Sequence, residues 1–174
     1  MDLQSIIIGL ASIAPLVALA LYLHSKYKQN LSMKLQAFQA VAARQGLVIT
    51  EQDIWDPGYA IGLDKQSMKL LYTQKIDNQE REIVLDLNEV QQCSVSNTAR
   101  DVNGGKVIDN IDLIFTLRNA RHSKHTLAFY NREESLNLRE ELRLAEKWRD
   151  IVNVHLIQQP SQASAERKGN LSFS

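Results

Sequence analysis

The spacing of apolar residues changes twice along the chain. Residues 3–23 contain no charged side chain and are almost continuously apolar. Residues 47–131 hold short apolar or alternating runs separated by turn-forming residues, which is typical of β-strands. Beyond residue 131, apolar residues recur every three or four positions, as on one face of a helix. The pattern therefore predicts an apolar helix, a set of strands and a final amphipathic helix.

The apolar opening segment has the length of a membrane span. As a helix that rises about 1.5 Å per residue, residues 3–23 would measure about 30 Å, the thickness of the hydrocarbon core of a bilayer. Pro15 is tolerated in such helices, and Tyr22 and Tyr27 stand where interfacial rings are favoured. We predict a transmembrane anchor over residues 1–24. A cleaved signal peptide and a buried core helix are the alternatives.

The basic residues near this segment predict its orientation. Lys26, Lys28, Lys34 and Arg44 all follow the segment, whereas Asp2 precedes it. Because basic residues stay on the cytoplasmic side of a membrane, we expect a single pass through the cytoplasmic membrane with the N-terminus outside. The rest of the chain is then cytoplasmic. Lys26 and Lys28 are also candidate contacts for anionic lipid headgroups.

A second helical segment follows over residues 25–45. Leu35 and Phe38 lie at helical spacing, and Gly46 is placed to end the helix. We predict a juxtamembrane amphipathic helix. The pattern leaves open whether this helix continues the apolar segment as a stalk or begins after a break at residues 29–30.

Seven candidate strands come next, separated by turn signals such as Asp56-Pro57-Gly58 and Asn103-Gly104-Gly105-Lys106. Val90 is out of phase with the apolar positions that follow it, which predicts a β-bulge near residues 91–92. Seven strands at this spacing favour an antiparallel barrel or sandwich. The candidate strands are residues 47–50, 59–63, 68–74, 82–87, 90–96, 111–117 and 125–131.

The predicted final helix starts at Asn131, which has the spacing of a capping box with Glu134. Its apolar face is expected to cover the strands, so that residues 46–157 form one domain. Residues 158–174 are small and polar, which predicts a disordered tail. The apolar face consists of Leu138, Leu142, Ala145, Trp148 and Val152.

Composition and charge exclude several classes of function. The 174 residues include 20 Lys plus Arg and 20 Asp plus Glu, and a net charge of zero argues against nucleic-acid binding. Cys93 is the only cysteine, so no internal disulfide can form. We find no pattern of paired acids or of a nucleophile with its base. The sequence therefore predicts neither an enzyme nor a cofactor or metal site.

One predicted loop concentrates positive charge. Residues 118–125 include Arg118, Arg121, His122 and Lys124, and they contain no acidic residue. Cationic neighbours would repel a metal ion from the histidines of this loop. We regard these four side chains as candidate contacts for anionic lipid or an acidic partner, and a solvated basic loop is the alternative.

The order of elements resembles the pleckstrin-homology-like (PH-like) superfold. Over residues 47–157, seven antiparallel strands precede one helix, and "AEKWRDIV", with Trp148, resembles the Trp-bearing terminal helix of that family. The strands in "YAIGLDKQSMKLLYTQ" and "IVLDLNEVQQCSV" resemble those of bacterial PH-like domains, which often carry transmembrane anchors. The resemblance implies the α+β class and a partly open seven-stranded barrel capped by a C-terminal helix. Between the first two strands, "QDIWDPGYA" is acidic, so the phosphoinositide site of some members is not carried over.

These observations predict a membrane-anchored, non-enzymatic binding or scaffold protein. The resemblance implies a module of this kind, because the PH-like fold is typically non-catalytic. Its cytoplasmic PH-like domain would be presented to a protein partner or to lipid, and not to nucleic acid. The alternative is a structural subunit of a larger membrane assembly, and homo-oligomerisation is compatible with both functions.

Overall fold

The computed structural model describes residues 3–76, 79–102, 104–118, 124–135, 138 and 140–158, with side chains from Val17 onward. The predicted tail, apart from residue 158, lies outside the described residues. The chain divides into two compact units between Gly46 and Leu47.

The first unit is one long helix, α1 (Leu3–Arg44), of 42 residues. It runs without a break through residues 29–30, so the predicted juxtamembrane segment continues the apolar helix. Gly46 ends it as predicted, with a φ of +69° that a glycine adopts without steric cost. Among the side chains that are described from Val17 onward, no helix offers a long enough apolar stretch to cross a membrane.

The second unit contains two antiparallel sheets and one helix. One sheet has the strand order β1-β2-β3-β4, and the other has the order β5-β6-β7. The α+β class is thus confirmed, but no ladder in the described residues joins the two sheets, so the barrel is not closed. The strands are β1 (Glu51–Trp55), β2 (Tyr59–Asp64), β3 (Lys69–Ile76), β4 (Gln79–Asp86), β5 (Val90–Val102), β6 (Gly105–Leu117) and β7 (Lys124–Asn131); a short 3-10 helix (Leu87–Glu89) precedes β5, and α2 (Glu141–Gln158) comes last.

The apolar run predicted that the first strand begins at Leu47. In the structure it begins at Glu51. The reason is a buried carboxylate. Asp64 accepts hydrogen bonds from the backbone N–H groups of Val48, Gln66 and Ser67, at 2.9, 2.9 and 3.0 Å. Bonds from the Ser67 and Val48 backbone lower the pKa of Asp64 to about 2. At Val48 the chain before β1 is therefore held by a side chain, whereas at Thr50 the backbone N–H already donates to the Leu63 carbonyl of β2 at 2.8 Å.

Two predicted irregularities of β5 and β6 are confirmed. The register shifts between Val90 and Gln92, where the phase of Val90 predicted a bulge. At the hairpin, Val102 pairs with Gly105, and Gly104 has a φ of +81°. Asn103, the first residue of the predicted turn, lies outside the described residues.

The final helix begins at Glu141, ten positions after the predicted start at Asn131. Asn131 does make the local bonds of a cap, because its side-chain oxygen accepts the N–H of Glu133 at 2.9 Å. Those bonds close a turn instead of a helix, and the carboxylate of Glu134 is held there by the Tyr59 hydroxyl of β2. Leu138, which was predicted on the apolar face, is 39% exposed.

The core lies between the two sheets and α2. Side chains of the first sheet bond directly to the β7 backbone: Trp55 Nε1 donates to the Phe129 carbonyl at 2.8 Å, and the Tyr72 hydroxyl donates to the Ala128 carbonyl at 2.6 Å. The Trp55 ring also stacks on Phe129, with centroids 4.7 Å apart. From α2, Trp148 is fully buried in this core. These contacts attach β1 and α2 to the core.

Candidate binding groove between β1 and α2

A groove of about 470 Å³ lies between β1 and the beginning of α2. We call it the β1–α2 groove. Its lining combines apolar side chains with two acidic and two basic ones, and none of the described lining residues is a serine, threonine, cysteine or histidine. The lining residues are Asp53, Ile54 and Trp55 of β1 with Glu140, Arg143, Leu144 and Lys147 at α2.

The β1 side of the groove is the edge of a sheet. β1 pairs with β2 on one side, and no strand among the described residues pairs with its other side. An edge strand presents backbone N–H and C=O groups that can bond to another extended segment. The groove therefore places open backbone groups next to the side chains of a helix.

Asp53 joins the two walls of the groove. Its carboxylate oxygen Oδ2 accepts a hydrogen bond from Lys147 Nζ at 2.6 Å and one from Trp148 Nε1 at 2.8 Å. Asp53 pairs with Ile61, a core residue, across the β1–β2 ladder, so its side chain is on the core face of β1. The acid is thus paired with the half-exposed Lys147 and adds no unpaired negative charge to the groove.

The second pair of charges is at the mouth of the groove. Arg143 Nη2 lies 3.2 Å from Glu140 Oε2, and the two side chains are 83% and 77% exposed. An exposed pair of this kind is weak, so both partners remain able to form other ion pairs. The apolar part consists of Ile54, Trp55 and Leu144. No group of three or more metal-ligating side chains occurs among the described residues.

In the other sheet, α2 covers part of the β5 edge. The side-chain amide of Asn153 on α2 accepts the Cys93 N–H at 3.1 Å and donates to the Cys93 carbonyl at 2.9 Å. One amide thus takes the place of a neighbouring strand at Cys93, near the beginning of β5. At the edge strand β4, Glu80 and Arg81 are exposed charges, which discourage edge pairing. On the β1 edge, the acids Glu51 and Asp53 are each paired with a lysine.

The predicted basic contacts are divided between the two units. Arg118 directly follows β6, and its Nε donates to the Val90 carbonyl at 2.9 Å. Lys124 begins β7 and is exposed, so both residues are at the same end of the β5-β6-β7 sheet.

Of the remaining predicted contacts, Arg121 and His122 lie outside the described residues. Lys26 and Lys28 are exposed on α1, and Lys26 Nζ is 5.5 Å from the centre of the Tyr22 ring. A nearby aromatic face attracts an ammonium group, so Lys26 already has a favourable neighbour on its own helix.

Sequence reasoning missed the groove. Asp53 occurs in "QDIWD", which was interpreted only as an acidic segment, and Lys147 was expected on the polar face of a helix. The contact between them joins residues 94 positions apart, and no local pattern contains that information. The one available signal was Trp148 next to Lys147, because a buried indole needs an acceptor.

Comparisons of the chain with family models, curated proteins and solved structures find no match.

Proposed function

We propose that this chain is a membrane-anchored, non-enzymatic binding or scaffold protein that engages a protein partner at the β1–α2 groove. The observation that carries the proposal is the open edge of β1 beside α2. An extended segment can add to such an edge through main-chain hydrogen bonds, and neighbouring side chains then select the sequence that binds. Ile54, Trp55 and Leu144 supply the apolar contacts, and Arg143 and Lys147 supply the polar ones.

The anchor is supported by the sequence of residues 3–23 and by the continuity of α1. An uncharged apolar segment of that length matches the thickness of a bilayer, and the helix continues beyond it to Arg44. Lys26 and Lys28 follow the segment on exposed helix surface, which favours a cytoplasmic location for the second unit.

The PH-like assignment is part of the proposal. Its support is the order of elements, with four strands, then three strands, then a helix that buries Trp148. A protein partner is favoured over lipid because the groove combines apolar side chains with charges of both signs, whereas an anionic bilayer attracts mainly basic residues.

Photo-crosslinking of the full chain in native membranes tests the proposal. A photoreactive amino acid replaces Ile54 in the groove, and the same residue replaces Val84, 40% exposed on β4, as the matched control. We expect a discrete protein adduct from position 54 that is weak or absent from position 84. Equal adducts from the two positions, or lipid adducts alone, would contradict a protein-binding groove. Release of the chain by carbonate washing would contradict the anchor.

A further inference from the structure

We infer that the partner at the β1–α2 groove is a second copy of this chain, with the two β1 edges paired antiparallel across a two-fold axis. The inference depends on the proposed function of the groove, and it names the partner. A two-fold axis between two sheet edges brings the same strand of each copy together, and it would merge two four-stranded sheets into one continuous sheet.

The charges of the groove favour a copy of the same chain. A two-fold interface uses one surface twice, so that surface must be complementary to itself. The lining holds two acids and two bases, and Glu140 and Arg143 are separated by one helical turn at the mouth. Across a two-fold axis, Glu140 of each copy can face Arg143 of the other. A strongly acidic or strongly basic partner would leave one sign of charge unpaired.

The three strand edges also differ in how they are protected, and this difference favours a second copy of the chain as the partner of β1. On the β5 edge, Asn153 bonds to both backbone groups of Cys93, and β4 carries the exposed charges Glu80 and Arg81. On β1, Glu51 is paired with Lys65 and Asp53 with Lys147, so each acid has an opposite charge beside it. Natural edges are usually blocked or covered, and a second β1 would cover this one.

The strand is short, and the expected affinity is therefore low in solution. β1 has five residues, which limits the number of main-chain bonds between two copies. Anchoring two chains in one membrane raises their effective concentration, as linking does for other weak modules. The association should therefore be measured with the full chain in lipid vesicles.

Energy transfer between labelled chains in proteoliposomes tests the inference. The label is attached to Lys106→Cys, on the exposed β5–β6 hairpin and outside the groove lining. Native Cys93 is buried, and burial raises the pKa of its thiol to about 12, so it stays unlabelled near neutral pH. Donor-labelled and acceptor-labelled chains are mixed, and unlabelled chain is added as the competitor.

Charge reversals at the mouth give the decisive comparison. Arg143→Glu and Glu140→Arg should each weaken self-association about tenfold or more, because like charges would then face each other twice. A mixture of the two variants should restore energy transfer, since each then supplies the sign that the other lacks. Asp150→Arg, on α2 but outside the groove lining, is the matched control and should behave as wild type. Unchanged unfolding temperatures would show that all variants are folded.

Each failure has a separate meaning. The inference is overturned if energy transfer is unchanged in Arg143→Glu and in Glu140→Arg. It is also overturned if mixing these two variants does not restore energy transfer. A third contradictory result would be energy transfer between wild-type chains that is no higher than the level expected for randomly mixed chains. If any of these results is obtained while position 54 still crosslinks to a different protein, the proposed function stands and only the identity of the partner is wrong. If position 54 gives no specific adduct either, both are wrong.

Discussion

Trp148 Nε1 donates a 2.8 Å hydrogen bond to Oδ2 of Asp53, a residue 95 positions earlier in the chain. The indole is fully buried, and its N–H therefore needs an acceptor inside the protein. The same oxygen accepts the Lys147 ammonium, which lies half-exposed at the groove. One carboxylate thus completes the core on one side and forms the wall of the β1–α2 groove on the other.

Replacing Asp53 with Ala should destabilise the fold by about 1–3 kcal/mol, because the buried Trp148 N–H would lose its acceptor. Asp53→Asn should cost less, since its amide oxygen can still accept from Trp148 while only the ion pair with Lys147 is lost. Chemical unfolding of the full chain in detergent, followed by tryptophan fluorescence, measures both free energies. Glu140→Gln is the control, because it changes an acid of the same groove that is 77% exposed. Equal stability of the Ala variant and wild type would contradict this role of Asp53.

The stability of the fold should be as sensitive to substitution of Asn153 as to substitution of Asp53, although Asn153 has the appearance of an ordinary polar helix residue. In Asn153→Leu, both backbone groups of Cys93 that now bond to the amide lose their partner, at a cost of about 1–3 kcal/mol for each buried group. Amide hydrogen exchange at Cys93 should accelerate together with the loss of stability. Val154→Leu is the control on the neighbouring position, which is 50% exposed. Slow exchange at Cys93 in the variant would show that another group covers the β5 edge.

Gly58 illustrates a requirement of backbone packing. A Cβ atom at this position would lie 1.9 Å from the Lys75 carbonyl oxygen, and Lys75 N donates to the Gly58 carbonyl at 2.8 Å. Gly58→Ala must push the β1–β2 turn away from β3, and we expect a loss of about 1–3 kcal/mol. At Gly105, by comparison, the nearest atom to an added Cβ is 3.7 Å away, an ordinary contact. Gly105→Ala is therefore the control in thermal unfolding, and similar melting temperatures for the two variants would exclude the clash.

The strands were predictable where the alternation of residues was local and complete. Ile111, Leu113 and Phe115 alternate with polar or half-buried positions, and all three are fully buried in β6. The bulge after Val90 was predictable for the same reason, because a break in phase is itself a local signal.

Distant contacts account for what the sequence could not predict. The capping pattern of Asn131 and Glu134 forms, but Tyr59 of β2, 75 positions earlier, holds Glu134 in a turn before the helix. The groove depends on similar long-range pairs between β1 and α2. Local propensity cannot distinguish a cap that starts a helix from the same bonds in a turn.

The acid stability of the protein should depend on Asp64. Its pKa is lowered to about 2 in the folded chain, because the Ser67 and Val48 backbone N–H groups bond to its charged form. A depressed pKa contributes stability above the unfolded value, near 4, and that contribution is lost as the pH falls towards 2. Asp64→Asn places an amide N–H against one of these donors, so it should cost about 1–2 kcal/mol at pH 7.

The pH dependence distinguishes this effect from simple loss of packing. Unfolding free energies of wild type and Asp64→Asn, measured from pH 7 to pH 2, should differ by a constant amount down to about pH 4 and converge below it. Asp150→Asn is the comparison with an exposed acid: a bond to the neighbouring Arg149 side chain also lowers the pKa of Asp150, but solvent exposure makes its contribution to stability much smaller. A difference that persists unchanged to pH 2 would mean that Asp64 acts through its shape and not through its charge, and the segment before β1 would then need another explanation for its position.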